Sequence, residues 1–99
     1  MKEVKIEDIY DKIDKLNFID IRENYLYNLG TIPNAKNIPQ SFLLMNPDNY
    51  LNKYETYYIF CSMGLTSKNT CSKLRDLGYD VVNVIGGYNE YKAYTHLTR

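Results

Sequence analysis

The stretch YYIFCSMGLTSKNTCSKLRDLGYDVVNVI, residues 57–85, decides how the chain is read. Its two ends, 57–61 and 81–85, are runs of aromatic and β-branched residues, nearly continuous in the manner of strands buried on both faces. Between them, residues 65–77 place Cys71, Leu74 and Leu77 toward one side and Lys68, Lys73 and Arg75 mostly elsewhere, the pattern of an amphipathic helix. Gly78 then closes that helix. Strand, helix and strand in this order make a βαβ unit, whose crossover is expected to be right-handed.

Working outward, short apolar runs predict further strands over 4–6, 18–21 and 37–38. Ile9, Ile13 and Leu16 suggest a first helix, and residues 88–94 a last one. Residues 41–54, with Pro47, Asp48 and several Asn, fit no clear period. The sum is an α/β fold with a central, mostly parallel five-stranded sheet flanked by helices on both faces. At 99 residues there is room for one core of modest extent, so a single domain over 1–99 is expected.

Composition narrows the function. Twelve Lys and Arg balance twelve Asp and Glu, so no net field draws the chain to nucleic acid or to an anionic membrane. The N-terminal MKEVKIEDIYDKIDK has no uninterrupted apolar stretch, which argues against a secretory signal or a membrane span and for a cytoplasmic protein. In a reducing compartment the two cysteines, Cys61 and Cys71, are a poor basis for a disulfide. The single histidine, His96, near the chain end, leaves a zinc site short of ligands, and no metal is expected. Eleven tyrosines supply amphipathic surface, many of them suited to cap the core with the hydroxyl at water.

The chemistry concentrates in FCSMGLTS, residues 60–67. A cysteine at the carboxyl end of a central parallel strand sits where open α/β sheets form their ligand sites. The residues that follow run into a helix N-terminus, where successive backbone N–H groups can converge on one spot and cradle an anion. Gly64 relieves the steric cost of the unusual φ that such a curl needs. A thiol inside that cradle has its pKa lowered and becomes a nucleophile. Ser62, Thr66 and Ser67 can add hydroxyl donors, or Thr66 and Ser67 can cap the helix. The other reading of Cys61 is an inert, buried small hydrophobe, and spacing alone leaves both open. Cys71 shares a helix face with Leu74, which favours core packing.

With these residues in view, the sequence resembles the rhodanese-like family of sulfurtransferase domains over roughly residues 18–94. IDIRENYLYNLGTIPNAKNIP, residues 19–39, is similar to the family's Asp-x-Arg segment followed by its Gly-His-Ile-Pro and Asn-Ile-Pro signatures, with Asp20, Arg22, Tyr27, Gly30, Ile32, Pro33, Ala35, Asn37 and Pro39 in register. IFCSMGLTS puts Cys61 and Gly64 where the family keeps its catalytic cysteine and loop glycine, and LGYDVVNVIGGYNEY resembles its closing strand, Gly-Gly turn and aromatic helix. The resemblance implies that Cys61 is the nucleophile and that the segment Ser62, Met63, Gly64, Leu65, Thr66 and Ser67 binds the substrate. It further implies that sulfur is carried as a persulfide from a small donor such as thiosulfate or a persulfide, or from a protein, to a thiol, cyanide or a protein acceptor, with no cofactor. Asp20 and Arg22 are expected to form a structural ion pair or loop anchor, since a thiolate activated by amides needs no separate base. Gly86 and Gly87 are expected to shape the turn beside the pocket.

The departures from the pattern are informative. Many active members carry Arg or Lys in the loop, whereas the positions between Cys61 and Ser67 here are Ser, Met, Gly, Leu and Thr. Weak activity toward a dianion such as thiosulfate is therefore expected, and a less charged donor or a protein persulfide suits the loop better, with Met63 and Leu65 available to contact it. The usual histidine is Thr31, and the glycine that follows is Asn34, which tolerates the left-handed conformation of a turn. A cysteine phosphatase would need an arginine closing the loop to clamp phosphate, but Ser67 takes the sixth place after Cys61 and no arginine follows until Arg75. No phosphate-binding G-x-x-x-x-G-K-[ST] motif is present. From another class, a non-catalytic module that senses sulfur or redox state would also keep Cys61.

Overall fold

A computed structural model describes residues 2–97. Five short strands, β1 (Glu3–Val4), β2 (Phe18–Asp20), β3 (Lys36–Asn37), β4 (Thr56–Phe60) and β5 (Asp80–Val84), form one sheet in the order β1-β5-β4-β2-β3. All four pairings are parallel, with Phe18, Ile19 and Asp20 opposite Tyr58, Ile59 and Phe60, and Tyr57 opposite Val81. The expected α/β sheet is thus present, and it is wholly parallel among the described residues.

The strands are central because their side chains are apolar in both directions. Along β4, Tyr57 and Ile59 enter one core and Phe60 the other, with Tyr58 packed against the latter. Helix α4 (Leu65–Asp76) and helix α3 (Gln40–Met45) cover the first face through Cys71, Leu74 and Leu43. Helix α1 (Ile6–Ile9) and helix α5 (Gly87–Leu97) cover the second through Ile6, Ile9, Tyr88, Tyr91 and Tyr94. Each large side chain fully buried in this way contributes roughly 1.5–3 kcal/mol. The buried positions of α4, namely Ser67, Thr70, Cys71 and Leu74, follow the i, i+3, i+4, i+7 spacing of one helical face.

Three local expectations are corrected. Ile6 is not the end of the first strand; its side chain turns into the core and opens α1, so β1 stops at Val4. The first helix is a single α-turn that tightens into a 3₁₀ segment, Tyr10–Lys15, rather than a continuous helix carried by Ile9, Ile13 and Leu16. A short helix, α2 (Asn24–Leu29), stands where no helix is expected, and it buries no residue, so no apolar period announces it. Residues 41–54 hold most of α3 and the 3₁₀ turn Pro47–Asn49. No helix among the described residues is long and apolar enough to cross a membrane.

Candidate active site

Cys61 lies directly after β4, at the carboxyl end of the central strand, and the chain then turns through Ser62, Met63 and Gly64 into α4. Gly64 has φ +90°, in the left-handed region where a side chain is strained, and a Cβ there would lie 2.8 Å from the Gly86 nitrogen. This curl aims two amides at one atom. The Gly64 N–H donates to Cys61 Sγ at 3.2 Å and the Ser67 N–H at 3.3 Å. Thr66 and Ser67 do not cap α4, whose N-cap is Gly64 without a side-chain bond. The Ser67 Oγ faces Cys61 Sγ at 3.3 Å instead, while Thr66 lines the cleft outside.

Burial raises the Cys61 pKa, but the hydrogen bonds of the Ser67 hydroxyl and of the Ser67, Gly64 and Met63 N–H groups outweigh it, and the thiol is held below its ordinary value. The N-terminal end of α4 adds its dipole to the same spot.

The loop is held from behind by α5. The Tyr88 N–H donates to the Cys61 carbonyl at 2.8 Å and the Asn89 N–H to that of Ser62 at 3.0 Å. Gly87 makes this closeness possible, since a Cβ at its φ of +60° would stand 2.3 Å from the Cys61 oxygen. Gly86, in the turn after β5, and Gly87, the first residue of α5, therefore sit behind the loop.

A cleft of about 430 Å³ opens in front of the sulfur, lined by Ile21, Arg22, Glu23, Leu26, Gln40 and Ser41 opposite Cys61, Ser62, Met63, Leu65 and Thr66. Met63 and Leu65 are 65% and 72% exposed at its mouth. Of the wall residues, Glu23, Leu26, Gln40 and Ser41 carry no motif of their own, and sequence reasoning missed them. A larger cleft, of about 560 Å³, lies at the amino ends of the strands among Asn17, Lys36, Asp48, Asn52 and Glu55. Its lining contains no cysteine, so size and chemistry point to opposite ends of the sheet, and the chemistry decides.

Arg22 reaches the cleft with its guanidinium already engaged. Nε donates to Asp20 Oδ1 at 3.0 Å, and Nη2 donates to Asp20 Oδ2 and to the Gly30 carbonyl, both at 2.7 Å. The group also stacks 4.5 Å from the Tyr88 ring centre. Asp20 is fully buried and also accepts from the Thr31 hydroxyl at 2.8 Å. The pair ties β2 to the far end of α2, so Asp20, Arg22 and Gly30 form one brace beside the cleft. Pro33 lies in the turn that follows, where Asn34 takes φ +70°, and Pro39 precedes α3. Cys71 is buried in the α4-side core, where desolvation pushes its thiol up to about 12.

One contributor has no motif behind it. Asn83, alone among the polar residues of β5 in being almost fully buried, accepts from the Ser67 hydroxyl at 2.6 Å. A single polar residue inside the run VVNVI is the signal that could have found it.

The sequence model described as the Rhodanese-like domain matches residues 5–94. A Bacillus subtilis (strain 168) protein named "Putative sulfurtransferase YtwF" is 31% identical over 98 residues, 96% of this chain and 94% of that one. Among solved structures, SSP1007 from Staphylococcus saprophyticus superposes with a TM-score of 0.84 at 33% identity, covering 92% of this chain and 93% of the other. A rhodanese-related protein from Thermoplasma volcanium gives 0.85 at 28% identity, covering 95% and 93%. With a parallel sheet that delivers a cysteine into a loop of converging amides, and with the family's sequence model matched over residues 5–94, this chain belongs to the rhodanese-like domain family.

Proposed function

We propose that the protein is a sulfurtransferase that carries a sulfane sulfur on Cys61. The observation that carries this reading is the pair of amides, from Gly64 and Ser67, donating to the Cys61 sulfur at the floor of an open cleft. The Cys61 thiolate attacks the outer sulfur of the donor. A new Sγ–S bond forms as the donor's own sulfur bond breaks, and the bonding pair leaves with sulfite from thiosulfate or with a thiolate from a persulfide. The negative outer sulfur of the Cys61 persulfide then waits for an acceptor, a thiol, cyanide or a protein thiol. The acceptor attacks it, and Cys61 leaves as the thiolate.

The walls favour a donor of low charge. No loop side chain from Ser62 to Ser67 is cationic, the Arg22 guanidinium is committed to Asp20 and Gly30, and Glu23 adds a carboxylate to the lining. Thiosulfate, a dianion, thus finds amides and, as the one cationic group among the described lining residues, a guanidinium already paired with Asp20, so it gains little from charge-assisted bonds, which are roughly twice as strong as neutral ones. A small persulfide or a protein persulfide, resting on Met63 and Leu65, is the better match.

Intact mass after incubation with thiosulfate, or separately with a persulfide donor, tests the reading. One added sulfur is expected, faster from the persulfide, lost in Cys61→Ser, kept in Cys71→Ser, and removed by a thiol or cyanide. Absence of an adduct from either donor on the folded protein overturns sulfur carriage; an adduct that no acceptor removes overturns transfer.

A further inference from the structure

Behind the cysteine loop runs a chain of hydrogen bonds that the sulfur chemistry does not require, and its directions are fixed by which atoms can donate. Asn83 Nδ2 lies 2.9 Å from Glu3 Oε2 and 3.3 Å from the Gly64 carbonyl, two acceptors, so the amide must point its nitrogen there. Its oxygen therefore faces Ser67, 2.6 Å from Oγ. An amide oxygen has no proton to give, so the one proton of the Ser67 hydroxyl occupies that bond. What Ser67 has left to offer Cys61 Sγ, 3.3 Å away, is a lone pair, and the thiol donates to it. Ser67 and Asn83 are both buried, so bulk solvent does not reach either group.

Ionisation of Cys61 upsets this arrangement. A thiolate has no proton to give, and it faces the lone pair of Ser67 unless the hydroxyl swings its proton from Asn83 to the sulfur. That swing leaves the buried Asn83 oxygen without a donor, which costs free energy. The stabilisation that Ser67 gives the thiolate is thus what remains after the Asn83 bond is given up.

We propose that Asn83 is a positioning residue of the sulfur-transfer site: by holding the proton of the Ser67 hydroxyl it limits how strongly that hydroxyl stabilises the Cys61 thiolate. Glu3 acts one bond further out, since its carboxylate keeps the Asn83 amide from flipping. The charged and titratable groups around this chain are Glu3 on β1, Lys68 on α4 with Nζ 3.9 Å from Glu3, Cys71 and Arg75 on α4, Arg22 and Glu23 across the cleft, and Glu90 on α5 beside Gly86. None of these hydrogen-bonds to the Ser67 hydroxyl, which bonds only to Cys61 and Asn83 among the described residues. The benefit is kinetic. A thiolate loses intrinsic nucleophilicity as its pKa falls, and the best attacking thiol has a pKa near the ambient pH. Asn83 thus keeps a sulfur surrounded by donors from being stabilised into a poor nucleophile. The proposal rests on Cys61 being the sulfur carrier, and it is tested without that assumption.

The experiment is the pH dependence of Cys61 alkylation by iodoacetamide in four proteins: the parent, Asn83→Ala, Ser67→Ala and the double variant, each checked for folding by circular dichroism. In Asn83→Ala the freed hydroxyl turns to the sulfur, so the midpoint moves to lower pH; the thiolate fraction at pH 6 rises about fivefold, the worth of one hydrogen bond, and the rate by about twofold, because each thiolate is then a weaker nucleophile. In the Ser67→Ala background the same change does nothing. Glu3→Ala, on the edge strand and partly exposed, should move the profile the same way by less, again only when Ser67 is present, and it serves if Asn83→Ala does not fold. An unchanged or raised midpoint in the folded variant, or an equal shift without Ser67, overturns the proposal. Sulfur loading measured on the same proteins separates the two ideas: a Ser67-dependent shift with no loading would sink the sulfurtransferase reading and leave the role of Asn83 standing.

Discussion

Cys61 and Cys71 are ten residues apart, border the same core and are both buried, yet their surroundings push their thiols in opposite directions. Around Cys71 there is chiefly packing, and desolvation raises the thiol to about 12. Around Cys61 the same desolvation operates, but the Ser67 hydroxyl and the backbone N–H groups of Ser67 and Gly64 meet at the sulfur, and the direction reverses. Burial by itself therefore does not decide whether a cysteine is inert. Directed donors do, and they exist here because a strand ends, a glycine curls the chain, and a helix begins within four residues.

Substitutions that erase one side of this contrast should have separable effects. Leu74→Ala comes first in size. Leu74 is fully buried beside Cys71, and its truncation should cost about 2–5 kcal/mol through lost burial and a cavity. In chemical denaturation the midpoint should fall accordingly, while Cys61 in the folded protein keeps its pH profile. A Cys61 profile that moved with it would mean that the core, not the loop, sets the reactivity. Gly87→Ala is smaller in stability and larger in chemistry. With φ +60° and a Cβ 2.3 Å from the Cys61 carbonyl, it should cost about 1–3 kcal/mol and push the loop off α5. Cys61 should then come to resemble Cys71, its alkylation midpoint rising as the amides lose their aim. An unchanged midpoint would show that α5 is not what holds the loop.

The same contrast explains how much could be read without coordinates. The strands β4 and β5 and the helix between them are legible because apolar runs and a helical period are one-dimensional signals of burial. The family's ordered motifs marked Cys61 and its loop. What escaped was held by contacts across the chain. Helix α2 buries nothing and is fixed at its far side by the Tyr27 hydroxyl on the Ala35 carbonyl and by Arg22 on Gly30, neither of which shows as periodicity. Ile6 reads as a strand residue because Val4 and Ile6 alternate with the charged Glu3, Lys5 and Glu7, whereas in the fold its buried side chain opens α1. Thr66 and Ser67 had the composition of helix caps, but Gly64 takes the cap position and the sulfur and Asn83 take the Ser67 hydroxyl. Hydrogen-bond direction, on which the behaviour of Cys61 turns, has no sequence signature at all.

The most direct test sets the two thiols against each other in one molecule. The native protein is alkylated with iodoacetamide across a pH series, and the extent at each cysteine is read by peptide mass spectrometry. Hydrogen bonds that favour the thiolate predict that Cys61 reacts with a midpoint below the ordinary thiol range, while Cys71 stays unmodified at every pH at which the protein remains folded. Equal reactivity of the two cysteines, or a Cys61 midpoint at or above the ordinary thiol value, would contradict the account.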